Sequence, residues 1–331
     1  MSTFHFQTDR REALRKQLVE LPTLAGAEDP ARYRPHREPH PLSRSRKSSP
    51  EPTDHAPARA RLPRRILLTA AAAAIGSMAV GHTAVIAQSA HAAGVLRDAA
   101  ERTISFVDPE PKPGQYLMVR THANWLVSGI DAAGNQTNSM NVQTIDVYVP
   151  GNRAEKWVLR RDWGDAGPVP MDIEVIKSKD GNFYGGGPWS LLSAEEIAAL
   201  PRDGQALYDH FNSRYTGGSA SRDEDNFVRI TDLLRTGLIP ADLRAGLYKA
   251  LALIPGVNTS EQSNFDGKPG VAIGRTEALR AGQRAEIIID PNTGLVIGER
   301  TIMTYAAFGF GANEIVGHTA VDYKIVNSAP K

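Results

Sequence analysis

The chain has 331 residues, a net charge of +1 and no cysteine, which excludes disulfides, thiolate catalysis, Cys-ligated zinc and iron–sulfur clusters. The near-neutral total hides an asymmetry. Residues 1–65 hold 14 Lys and Arg against 8 Asp and Glu, whereas the remainder holds 24 against 29, so the two parts suit different surroundings.

At the N-terminus, Leu14, Leu18 and Leu21 recur at helical spacing beside Asp9 to Glu20, which predicts a short amphipathic helix. Such a helix is marginal alone in water, so it is either a fraying, solvated tail or a docking helix for a cytoplasmic protein partner. From Ala31 to Arg65 there are ten Lys and Arg, seven Pro and one aromatic, Tyr33. That composition cannot bury enough apolar surface to offset chain entropy and predicts disorder. Residues 66–87 then run for 22 positions without a formal charge, long enough as a helix to cross a bilayer core of roughly 30 Å. Arg59, Arg61, Arg64 and Arg65 crowd its N-terminal side, which orients the N-terminus to the cytoplasm by the positive-inside rule. The competing reading is a cleavable export signal, because Arg64-Arg65-Ile66-Leu67-Leu68 resembles a twin-arginine motif and Ala90-His91-Ala92 an A-x-A cleavage site. Either way the C-terminal part leaves the cytoplasm.

The expected organisation is therefore a basic tail at 1–65, a transmembrane helix at 66–87, a stalk at 88–113 and an exported α+β domain at 114–327. In the stalk, Gly94 to Val107 reads as a helix with Val95, Ala99 and Ile104 on one side, ended by the prolines at 109, 111 and 113. Strands are predicted at 116–122, 141–149 and 155–163, from β-branched and aromatic residues in partial alternation. Helices follow at 194–200, opened by a capping box of Ser193 and Glu196, and at 204–215, 227–235 and 240–254, the last with Pro240 where a helix start tolerates it. Strands return at 270–273, 284–290, 295–305 and 318–326, with Asp290-Pro291-Asn292-Thr293-Gly294 as the best hairpin turn. Strands, then helices, then strands is an α+β order with an antiparallel sheet.

The segments Leu200-Pro201-Arg202-Asp203-Gly204-Gln205-Ala206-Leu207, Asp232-Leu233-Leu234, Leu243 to Val257 and Asp290 to Leu295 carry a family resemblance in their order. Over residues 60 to 327 the chain resembles an uncharacterised family of actinobacterial single-pass membrane proteins with an exported α+β domain, often encoded near sigma factors. The resemblance implies a curved antiparallel sheet, a half-barrel similar to lipoprotein carriers, packed on helices. It also implies an envelope-sensing or anti-sigma-like role by association, and it supplies no catalytic residues.

The residues themselves point to little chemistry. None of the nine histidines stands in H-x-x-H or H-E-x-x-H spacing, so no metal is expected. No G-x-S-x-G elbow or P-loop occurs, and no cofactor, catalytic residue or nucleic-acid partner is expected. Asp223-Glu224-Asp225-Asn226 reads as the acidic start of a helix rather than a Ca²⁺ loop. Gly309-Phe310-Gly311 reads as a loop rather than a dinucleotide fingerprint, and Gly185-Gly186-Gly187-Pro188-Trp189 as a turn before a packed Trp. Three functions follow: a sensor or regulator binding a lipid, peptide or protein outside the membrane, an exported carrier of an apolar ligand, and a hydrolase using carboxylates such as Asp172 and Glu174. An enzyme is the least expected of these. With a tag at each end, protease treatment of intact cells is expected to remove only the C-terminal tag from a membrane-bound full-length chain. A soluble fragment beginning near Ala93 would instead establish cleavage.

Overall fold

A computed structural model describes residues 90–130, 134–164, 172–185, 187–307 and 309–331. The basic tail with its short helix and the apolar run at 66–87 lie outside these residues. No helix among the described residues is long and apolar enough to cross a membrane.

Among the described residues nine strands form one sheet in which every neighbouring pair is antiparallel. They are β1 (Tyr116–Ile130), β2 (Gln136–Pro150), β3 (Lys156–Asp162), β4 (Glu174–Lys179), β5 (Asn258–Ser263), β6 (Pro269–Glu277), β7 (Gln283–Ile289), β8 (Val296–Met303) and β9 (Glu314–Val326). Their order, β4-β3-β2-β1-β9-β8-β7-β6-β5, places β9 beside β1 at the centre and leaves β4 and β5 as edges. Helix α1 covers residues 90–105. Helices α2 (Ala194–Ala199), α3 (Gly204–Asn212), α4 (Arg222–Leu234) and α5 (Ala241–Leu251) lie between β4 and β5 in the chain. The domain is α+β, an open antiparallel sheet with helices on one face.

Local chemistry sets the helix boundaries. Ser193 accepts from the Glu196 backbone N–H while the Glu196 side chain accepts from the Ser193 backbone N–H at 2.8 Å, the reciprocal box expected there. Helix α4 starts five residues before its apolar stripe, because Ser221 caps it and Asp223, Glu224 and Asp225 fill its first turn, where negative charge is favoured. Two sequence expectations were too short. β1 and β2 each run 15 residues, well past the apolar stretches at their paired ends. Strands β4 and β5 were not expected, since Asn258-Thr-Ser-Glu-Gln-Ser263 has no apolar residue and owes its extended form to pairing with β6.

The helix-facing side of the sheet carries two cores. One joins Leu207, Phe227, Ile230, Leu243, Leu247 and Leu251 of the helices to Ile273, Ile287 and Val296 of β6, β7 and β8. The other joins Leu117, Val119, Ile145, Val147 and Leu159 of β1, β2 and β3 to Phe183, Trp189 and Leu238. Helix α1, expected as a stalk, belongs to the first core. Its Leu96, Ala99 and Ala100 are buried there, while Ile104 faces out.

One buried arginine fastens α1. The Arg244 guanidinium on α5 donates to Asp108 Oδ1 at 2.7 Å, to the Ile239 carbonyl at 2.9 Å and to the Thr103 hydroxyl. Gly294 sits against Thr103 and the Ala99 carbonyl so closely that any Cβ would clash, and its carbonyl accepts from buried Tyr248. The β7–β8 turn, α1 and α5 therefore meet at one point. Arg244→Met strands the buried Thr103 and Ile239 groups and is expected to cost about 2–3 kcal/mol in denaturant unfolding, against about 1 kcal/mol for Asp108→Asn, whose partly exposed carboxylate water can serve.

Candidate functional site

All four tryptophans lie in the part of the chain that builds the β1–β4 half of the sheet. Trp157 and Trp189 are core residues, and Trp189 meets Phe183 edge-on at 6.1 Å. This confirms the packed Trp expected after Gly185 to Pro188. Trp125 and Trp163 are only half-buried. They stand on the helix-facing side, Trp125 where β1 leaves its pairing with β9 and Trp163 just past the end of β3; register pairs Trp125 with Asn141, and Gln143 lies two residues on along the same face of β2.

Between these two rings lies a polar chain. Arg161 donates to Gln143 Oε1 from Nε at 3.2 Å and from Nη2 at 2.8 Å, the Gln143 amide donates to Asn141 Oδ1, and Asn141 Nδ2 donates to the Trp163 carbonyl at 3.3 Å. The guanidinium carbon lies 3.1 Å from the centre of the Trp163 ring, a cation–π arrangement. On the other side, Tyr184 donates to Glu174 Oε2 at 2.8 Å. Burial lowers the Arg161 pKa, opposed by Tyr184 and Glu174. Burial also pushes the Tyr184 phenol up to about 12, with its hydrogen bond to Glu174 adding to the rise. The group is thus a rigid charge set between aromatic and amide surfaces, with Val127 exposed at its rim.

The carboxylates Asp172 and Glu174 have different surroundings. Glu174 is tied to Tyr184, whereas Asp172 lies exposed. The acidic run Asp223 to Asn226 is a helix start, as expected. Glu224 pairs with Arg280, Asp225 with Arg229 at 2.6 Å, and Asp223 approaches Arg275 at 3.9 Å. Phe310 and Ala307 close a small loop at the Gly309–Gly311 segment. Among the described residues no group of His, Asp and Glu could hold a metal ion. The sequence reading missed Trp125, Asn141, Gln143, Arg161 and Trp163 as a set. Their only linear signal is that they fall on alternate positions of neighbouring strands.

No protein-family model matches the chain, and no curated protein matches it in sequence. A solved structure described as the complex of Pseudomonas aeruginosa MucA and MucB is similar in part. It is 10% identical with a TM-score of 0.29, and the match covers 73% of this chain and 59% of that one. The chain therefore spans less than two thirds of that neighbour's length.

Two expectations follow from these networks. Arg161→Met leaves the buried Gln143 carbonyl without its donor and is expected to cost about 1–3 kcal/mol by denaturant unfolding. Arg161→Lys should recover only part of that, because an ammonium cannot reproduce the planar fork. Glu277 supplies the pH dependence: burial raises its pKa, but hydrogen bonds from Ser221 at 2.5 Å and Arg275 at 2.7 Å more than offset that and hold it below the usual carboxylate range. A depressed carboxylate contributes stability above its unfolded pKa of about 4.3 and loses it as pH falls through the folded value. Unfolding measured across that acid limb should be less pH-dependent in Glu277→Gln than in the parent.

Proposed function

We propose that the protein is a single-pass membrane protein whose extracytoplasmic α+β domain binds a partner protein or peptide, and that it serves as an envelope sensor or anti-sigma-like regulator rather than as an enzyme. The observation that carries this reading is the uneven cover of the helix-facing side of the sheet. Over β6, β7 and β8 that side is closed by the helices. At the far ends of β1 and β3 it ends in half-buried Trp125 and Trp163, a fixed Arg161 and exposed Val127. Tryptophan and arginine are the residues that most often anchor protein interfaces, because they combine large contact area with oriented donors.

The carrier alternative needs an apolar cavity. The space between helices and sheet is instead occupied by side chains such as Leu207, Tyr248, Ile273 and Ile287, all essentially inaccessible to solvent, which supports recognition at the surface over internal cargo. A basic tail expected in the cytoplasm, joined to an apolar run expected to cross the membrane, fits a protein that reports across it.

The test is a photo-reactive benzoylphenylalanine in place of Trp163 in the full chain, irradiated in intact cells. A discrete heterologous adduct that disappears with Trp125→Ala, and is absent when the probe replaces Ser260 on β5, is the expected result. No adduct at either position would remove the assigned face.

A further inference from the structure

The β1–β2 hairpin outgrows its neighbours. Strand β9 pairs with β1 only as far as Trp125, and β3 pairs with β2 only from Thr144 onward. Beyond those points, among the described residues, the two strands pair only with each other, from Leu126–Met140 to Ile130–Gln136. Thr137, Asn138, Ser139 and Met140 are all exposed, and so is Val142. The hairpin is held at its own register by the cross-strand pairing and by Ser128 Oγ donating to Asn138 Oδ1 at 2.7 Å.

Unpaired strand edges invite another strand, and proteins ordinarily block them with charges, especially Lys, or with Pro. The outer edges of this sheet follow that rule. Strand β4 carries exposed Lys177 and Lys179, and β5 carries exposed Glu261. The projecting hairpin does not. From Thr121 to Ile145 the only formally charged residue is Asp131, and there is no Lys, Arg or Pro. The edge Thr137-Asn138-Ser139-Met140 consists of residues that tolerate a ladder on either face.

We propose that this β2 edge pairs antiparallel with the same edge of a second copy, extending two ribbons into one four-stranded element across a two-fold axis. The charge pattern selects the second copy. In an isologous antiparallel pair a residue meets its own counterpart or one near it, and opposed like charges destabilise such pairs. A self-pair of β4 centred on Ser178 would set Lys177 against Lys179, whereas the neutral β2 edge meets no such penalty in any register. A charged partner, conversely, would find nothing on this edge to complement. The pairing does not depend on the function proposed above.

The cysteine-free chain makes the test direct. Single cysteines are introduced at Thr137, Asn138, Ser139, Met140 and Val142 in the full-length protein, with Lys177→Cys as control, and lysed cells are treated with copper phenanthroline, so that the readout does not depend on which side of a membrane the domain occupies. A disulfide needs Cα atoms within about 7 Å, so the homodimer band should peak at one position near the two-fold axis, about tenfold above the control, and fall on both sides. Ser139→Lys should abolish the band in a cysteine variant, and co-expression with a Ser139→Glu copy should restore a mixed dimer. A monomer at every position, a uniform band that includes the control, or an adduct of a mass other than twice the chain would each overturn the proposal.

Discussion

A nine-stranded open sheet without disulfides is stable only if one of its faces is shut off from water, and everything else in this domain follows from how that is done. The helices inserted between β4 and β5 are folded back over β6, β7 and β8. Arg235 and Gly237, at the α4–α5 corner, meet the middle of the sheet at Glu299 and Tyr323. Helix α1 completes the cover, and the buried Arg244 that fixes it replaces what a disulfide would do in a protein with cysteines. A buried guanidinium is an expensive fastener by itself. Here its donors are matched by Asp108, Thr103 and the Ile239 carbonyl, so losing the arginine strands buried groups and the arrangement specifies one docking geometry.

The opposite face is managed by charge. Arg300 on β8 donates to Glu286 on β7 from Nη2 at 2.6 Å, Arg284 donates to the same carboxylate at 2.6 Å and reaches Asn258 on β5 at 2.7 Å. It reaches that far because Gly274 on β6 has no side chain, and a Cβ there would strike both Arg284 and Glu286. A second row links Arg120 to Asp146 at 2.7 Å, with Arg160 nearby. The β5–β6 turn also folds onto this face. Phe265 lies between the rings of His122 and His318, and its backbone N–H donates to the Thr319 carbonyl at 3.1 Å. Polar ladders and a folded-back turn order this face together with two small apolar clusters, Met118 with Tyr148 and Val158, and Ala272 with Ile288 and Ile297.

Against that background, the β1–β2 ribbon and the Trp125–Trp163 region stand out because neither device reaches them. The helices stop short of the far ends of β1 and β3, and the ion-pair ladders stop with the paired strands. What is left is a neutral ribbon of β1 and β2 and, beside it, a half-buried aromatic patch around Arg161 of β3. The two proposals assign the patch to a partner of different sequence and the ribbon to a second copy.

Much of the architecture was legible from the chain. The strand–helix–strand order, the box at Ser193 and Glu196, the acidic start of α4 and the turn at Asp290 to Gly294 are local patterns, each fixed by backbone hydrogen bonding within a few residues. The absence of cysteine, the charge asymmetry and the apolar run are likewise properties of the sequence alone. Tertiary structure decided the rest. Strand β5 is extended because β6 pairs with it, α1 is a core helix because Arg244 lies 141 residues away from Thr103 in the chain yet bonds to it, and Asn141, Gln143, Arg161 and Trp163 become one network only when register aligns β2 with β3. Such contacts depend on which strands are neighbours, and no local periodicity records that.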